Sequence, residues 1–188
     1  MGRKRQDVSN TNVAWAQKGL LSPYLRTNIS VFKCPVDIYL SPIQRAAGWS
    51  ARLRSVSMNG YVGAPSSSTA DQTNPRAWGD PSYRQFLKLT QIPQPEKAFV
   101  TLDEHPDSIN EGFFLNEPTA FSWQDTPASY HDGACTFSFA DGHSELHKWL
   151  SATSRYPVKY SYSTKSFDAA GKKDFQWYKD RIPLILFR

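Results

Sequence analysis

Long hydrophobic runs are missing from this 188-residue chain. No stretch approaches the roughly 20 apolar residues that span a bilayer. Residues 6–12 are polar where a signal peptide carries its hydrophobic segment, so a soluble chain without an export signal is expected. Cysteine is nearly absent. Cys34 and Cys135 form no CxxC, and no further pair completes a cysteine zinc site; one disulfide or a buried free thiol remains open. There is no G-x-S-x-G elbow to present a nucleophile and no Gly-rich phosphate loop, which removes support for serine-hydrolase and nucleotide chemistry. Strong charge of one sign is lacking too. The 22 basic and 17 acidic residues leave +5, and the only dense basic run is Arg3, Lys4 and Arg5. Arg52, Arg54, Lys172 and Lys173 are spread among acids and read as solvated surface. Without a helix-turn-helix, zinc finger or RNA-recognition signature, no nucleic-acid partner is expected.

Aromatic residues are plentiful. They make up 14% of a chain that is only 39% hydrophobic, and 13 Pro and 10 Gly punctuate it. That balance favours short strands and long loops over a helical bundle. The length suits one domain with its own core, expected over residues 13–188 after a disordered segment at 1–12. Residues 14–25 are expected to form a short helix or turn ended near Pro23, with Trp15, Leu20, Leu21 and Leu25 at helical spacing. Strands are expected at 29–34, 54–58, 98–102 and 112–115, with a turn at Asn59-Gly60. Residues 37–50 and 65–80 read as loops, 80–87 as a short helix opened by Pro81, 151–172 as irregular, and 174–181 as a closing helix. The fold class is therefore α+β: an antiparallel β-sheet with short helices and long loops.

Residues 131–150 are the most informative. Asp141-Gly142 suits a two-residue type I′ hairpin turn, whose central residues both need positive φ. With that loop Ala140 pairs with His143 and Phe137 with Leu146. Cys135, Phe137, Phe139, Leu146 and Leu150 then share the core face, and Thr136, Ser138, His143, Glu145, His147 and Trp149 the outer one.

All four histidines lie between 105 and 147. His143 and His147 would serve zinc on a helix, but Ser144 replaces the Glu of a zincin, and on a strand the two sit about 13 Å apart. Asp103, His105, Asp107 and Asn110 form an oxygen-rich loop that could hold calcium, although it lacks the EF-hand glycine and spacing. The plainer reading is that these side chains tie down a loop. Trp123 and Trp149 are candidates for stacking on sugars, but such residues usually pack in cores or turns.

Several segments resemble, in order, a known family. Leu21-Ser22-Pro23-Tyr24-Leu25 and Val31-Phe32-Lys33-Cys34-Pro35-Val36-Asp37 come first, then Arg54-Ser55-Val56-Ser57-Met58-Asn59-Gly60-Tyr61 and the run Leu102 to Asn110 (LDEHPDSIN). His131 follows, nine residues before Asp141-Gly142, then His143 and Trp149. The pattern resembles the bacterial prepilin-type proteins with a C-terminal His-(nine residues)-Asp-Gly domain. The resemblance implies a pilin-like head on a type IV pilin-like or type II secretion pseudopilin-like subunit, extracytoplasmic in the cell envelope. It implies a non-enzymatic structural role, partnership with other pilin-like subunits, and contact with exported protein or glycan. Residues 1–12 hold neither the cleavage motif nor the hydrophobic helix of that family, so inner-membrane anchoring is expected only of a longer precursor. The resemblance supplies no catalytic residues. It leaves His131, Asp141, Gly142, His143 and Trp149 as a structural motif, with a metal-dependent polysaccharide hydrolase or a carbohydrate-binding module as the alternatives. Convergence of His105, His131 and Asp141 on one open point would favour the hydrolase.

Overall fold

The computed structural model describes residues 12–19, 21–63, 82–110, 112–161 and 165–186. Of the segment expected to be disordered at 1–12, residues 1–11 with the basic run lie outside the described residues, as does the expected loop at 65–80, whereas Asn12 caps the first helix through the Ala14 N–H. The protein is α+β. Five strands, β1 (Val56–Asn59), β2 (Phe99–Asp103), β3 (Phe113–Phe114), β4 (Ala134–Phe139) and β5 (Ser144–Lys148), form one sheet in the order β3-β1-β2-β4-β5. The pairings β1–β2, β2–β4 and β4–β5 are antiparallel, as expected. The short β3 runs parallel to β1, so the sheet is mixed. Helices α1 (Val13–Gln17), α2 (Pro42–Ala46) and α3 (Ala169–Lys179) complete the regular structure among the described residues, with 3-10 turns at Ser22–Leu25, Ile29–Phe32 and Leu89–Gln91.

Local chemistry explains where these elements depart from expectation. Residues 29–34 have strand composition, yet Ile29–Phe32 coils into a 3-10 turn because the Asn28 side chain accepts the Ser30 N–H at 3.1 Å. The stretch read as loop at 37–50 contains α2. It is started by Ser41, whose hydroxyl accepts the Gln44 N–H while the Gln44 side chain accepts the Ser41 N–H, with Pro42 in the first turn. Pro23 likewise sits at the start of a 3-10 turn and does not end a helix. In the segment expected as a helix at 80–87, residues 82–87 are not helical: isolated bridges join Phe86 to Val62 and Tyr83 to Leu186. The closing helix begins earlier than expected, at Ala169, because Asp168 caps it through the Gly171 N–H at 2.6 Å.

The hairpin differs by one residue, with large consequences. Phe137 pairs with Glu145 and Thr136 with Leu146, and the Phe139 N–H bonds to the His143 carbonyl at 2.9 Å. The loop is therefore three residues long. Gly142 alone in the turn has positive φ, at 97°, as in a type I turn followed by a left-handed glycine. A one-residue slip exchanges the two faces of a strand. The expected faces of β5 are thus inverted: Leu146 and Leu150 are exposed, Trp149 is buried, and Glu145 and His147 turn inward.

That register puts β5 against α3. His147 stacks on Trp177 with ring centroids 3.6 Å apart, and Trp149 meets Trp123, Phe137 and Trp177 edge-on. The core is mainly rings: Tyr61, Phe99, Phe114, Phe137, Phe167, Phe175 and Tyr178 gather around Trp123 and Trp149. Buried carboxylates then tie loops to it. Asp174 of α3 accepts the Leu150 N–H at 3.0 Å and the Ser151 N–H at 2.9 Å, holding the chain just after β5.

Replacing Asp174 with Ala leaves two N–H groups without acceptors and is expected to cost about 2–4 kcal/mol, read by urea denaturation. His147 generates a pH prediction. Burial, with the nearby Arg181 cation, lowers its pKa below 6.5, against the opposing pull of Asp174 and Glu145. A depressed histidine contributes stability above its unfolded pKa and loses it as pH falls through 6.5 towards the folded value. His147→Phe keeps the ring stack and should remove that part of the acid-side fall in Tm. An identical fall between pH 7.5 and 5.5 in both proteins, measured by thermal melts, would contradict this placement.

Candidate functional site: a buried cysteine, aspartate and histidine

Four separate segments meet at one end of the sheet. Cys34 follows the 3-10 turn at Ile29–Phe32, Ser55 precedes β1, Asp103 ends β2, and His131 lies in the turn before β4. Backbone bonds align them first. The Ser55 N–H donates to the Phe32 carbonyl at 2.9 Å, and the Glu104 N–H to the Ser55 carbonyl at 2.8 Å. His131 is set by a tight turn in which Asp132 and Gly133 take positive φ, 52° and 80°. Its N–H and carbonyl both bond with Ala134.

Side chains close the knot. The Ser55 hydroxyl accepts the Cys34 N–H at 2.7 Å and donates to Asp103 Oδ1 at 2.9 Å. Cys34 Sγ lies 3.6 Å from His131 Nε2. Ligand atoms of Cys34, Asp103 and His131 all fall within 4.8 Å of one another. Cys34 and Asp103 are buried and His131 is half-buried. Cys135 lies beneath, its thiol donating to the Asp103 carbonyl at 3.3 Å. Both cysteines are free and buried, so of the two alternatives the buried thiol is the one observed.

Burial disfavours negative charge at two of the three groups. Burial pushes the Cys34 thiol up, and the negative charges of Asp103 and Asp37 add to the effect. Burial also raises Asp103, opposed by the hydrogen bond from Ser55 and by His131. Cys135 is raised well above the ordinary thiol value for the same reason. A raised thiol pKa opposes formation of the nucleophilic thiolate at Cys34. Arg52, expected on the solvated surface, is instead buried in an ion pair with Asp37. Arg54 donates to the Ser57 hydroxyl at 3.0 Å, while Lys172 and Lys173 are exposed as expected.

The acidic segment expected to hold calcium is buried and divided among several tasks. Asp103 faces Ser55, whereas His105 Nε2 lies 2.8 Å from the Tyr156 carbonyl and His105 Nδ1 accepts the Asp107 N–H at 3.1 Å. Those partners make Nε2 the protonated nitrogen. Asp107 accepts the N–H groups of Lys159 and Tyr160, each at 2.8 Å. Asn110 is half-buried at the end of the segment. Among the described residues, the His, Cys, Asp and Glu side chains grouped closely enough for one ion are Cys34, Asp103 and His131, not Asp103, His105 and Asp107. The loop-tying reading of His105 and Asp107 describes what they do. Glu104, just before His105, is fully buried, and burial with the nearby Asp125 pushes its pKa up to about 8.

The remaining expected residues lie elsewhere. Asp141 accepts His143 Nδ1 at 2.6 Å and the His143 N–H at 3.1 Å at the exposed hairpin tip, where the imidazole stacks on Phe139. His105, His131 and Asp141 therefore do not converge on one open point. Trp123 and Trp149 are each 1% exposed, and their indole N–H groups donate to Ser154 and to the Ala128 carbonyl. Neither presents a face to a sugar. Cys34 and Ser55 were not among the residues expected in a site. Their only sequence signal was membership of the Phe32-Lys33-Cys34-Pro35 and Arg54-to-Tyr61 segments, because no local spacing links Cys34 to a histidine 97 residues away.

Ser55→Ala removes the hydroxyl that both Cys34 and Asp103 use. The expected result is a loss of about 2–4 kcal/mol in urea denaturation, together with faster alkylation of Cys34 under native conditions. Unchanged stability and thiol reactivity would show that the knot is not held this way.

Compared with protein-family models, curated proteins and solved structures, the chain shows no match in any of the three.

Proposed function

We propose that this chain is the globular head of a pseudopilin-like structural subunit, assembling with other pilin-like subunits in a type IV pilus or type II secretion-like filament and meeting exported cargo at its surface. The observation that supports this reading is the use made of the motif residues. Cys34, Ser55 and Asp103, from three of the segments that carry the resemblance, meet His131 of the fourth in one buried knot. Asn59 bonds the Phe99 carbonyl, and His105 and Asp107 hold residues 156–160. Residues placed in this way stabilise a loop-rich head. They do not line an open cleft in which a polymer could be cut.

Subunit contact has a candidate surface. Leu21, Tyr24, Val31, Val36, Ile38 and Ile43 are large apolar side chains left exposed within residues 21–43, Tyr24 at 85% and Ile38 at 80%. Concentration of apolar exposure in one segment favours a protein-contact role. Among the described residues no helix is long and apolar enough to cross a membrane.

The test is photo-crosslinking from Tyr24 and Ile38 in the source cell, with the chain expressed from its own locus. Adducts with pilin-like subunits in the envelope fraction are expected, and in-frame DNA upstream of Met1 should encode a prepilin cleavage motif and hydrophobic helix. A cytoplasmic product that yields no such adducts would overturn the reading.

A further inference from the structure

We infer that Cys34, Asp103 and His131 form a binding site for a thiophilic divalent cation of the zinc class. The spacing suits such an ion. Zinc bonds of about 2.0–2.3 Å to oxygen, nitrogen and sulfur place neighbouring tetrahedral ligands about 3.3–3.8 Å apart. The Cys34 Sγ to His131 Nε2 separation is 3.6 Å, and the three ligand atoms lie within 4.8 Å of one another. The donor set decides the class of ion: one sulfur, one nitrogen and one oxygen suit zinc or cobalt, whereas calcium seeks six to eight oxygens.

The surroundings resemble a supporting shell. The Ser55 hydroxyl fixes Asp103 Oδ1 and also holds the Cys34 N–H, so two ligands share one anchor. Cys135 and Ala128 hold the Asp103 backbone, through the 3.3 Å thiol contact to its carbonyl and a 2.8 Å N–H bond to the same oxygen. The buried Arg52 guanidinium is engaged by Asp37. An ion between Asp103 and Cys34 would therefore supply positive charge where a buried carboxylate and sulfur face each other. Binding replaces the Cys34 S–H bond with a metal–sulfur bond, and the proton leaves to solvent. Half-exposed His131 gives the ion a way in, and three protein ligands leave the fourth tetrahedral position for water.

The experiment uses the full chain, stripped with a chelator and titrated with cobalt(II). A thiolate-to-cobalt absorption band is expected at one equivalent and should be displaced by zinc. Tm should rise by about 5–10 °C at a hundredfold excess of zinc over its Kd, while millimolar calcium gives no such rise. The band should vanish in Cys34→Ala and in His131→Gln, the second a change at a half-exposed position that leaves the core intact. A band that survives Cys34→Ala, or wild-type protein with neither band nor zinc-dependent Tm, overturns the proposal. None of these readouts depends on filament assembly, so this site and the pseudopilin reading fail separately.

Discussion

Trp123 sits where every layer of the molecule meets. Its indole packs on Phe114 of the sheet, on Trp149 after β5, and on Phe167, Phe175 and Tyr178 around α3, with ring centroids 5.2–6.4 Å apart. Most of these contacts are edge-to-face, the arrangement favoured by the ring quadrupole. Aliphatic residues are few in this core; Leu102 and Ile182 are among its small aliphatic share. A core of rings is directional, because each plane must present an edge or a face to the next. The orientation of α3 and the register of β5 are therefore linked through Trp149, Trp177 and His147. The Trp123 N–H, satisfied by Ser154, extends that constraint to the loop after β5.

Outside the rings, the chain relies on buried polar ties. Residues 104–110 and 151–160 have little regular structure, and backbone groups in buried loops need partners. Asp107, His105, Asp174 and Asn116 provide them, each bonding main-chain groups from another segment. The buried face of β1 follows the same logic. Ser57 and Asn59, not Val56 and Met58, point inward, because Glu104 and the Phe99 carbonyl require donors there. In the same way Ser55 joins Cys34 to Asp103, so the candidate metal site grows out of the scheme that holds the loops.

Much of the scaffold was legible because it depends on neighbours in sequence. Alternation located β1, the run Ala98-Phe99-Val100-Thr101-Leu102 located β2, and Asp141-Gly142 located the hairpin. Ser41-Pro42-Ile43-Gln44 carries a complete helix-start signal that the loop-like reading of 37–50 passed over. The hairpin register was harder. Asp-Gly serves a two-residue loop with both residues at positive φ, and equally a three-residue loop ending in a left-handed glycine. Turn chemistry does not separate the two. Trp177 on α3 does, since only the observed register turns His147 and Trp149 towards it. Likewise, the spacing within Asp103-x-His105-x-Asp107 suggested shared ligation, but after β2 ends nothing in the sequence fixes where each side chain points.

The sequence by itself determined the α+β class, the placement of the hairpin and central strands, and the closing helix near its true position. Those follow from turn residues, caps and periodicity that act across a few neighbours. Tertiary structure alone decided which face of β5 is buried, that Arg52 leaves the surface to pair with Asp37, and that Cys34 meets His131 beside Asp103. Such outcomes depend on ring packing and on backbone groups that must find partners within a closed volume. Residues 97 positions apart become neighbours only when that volume is filled.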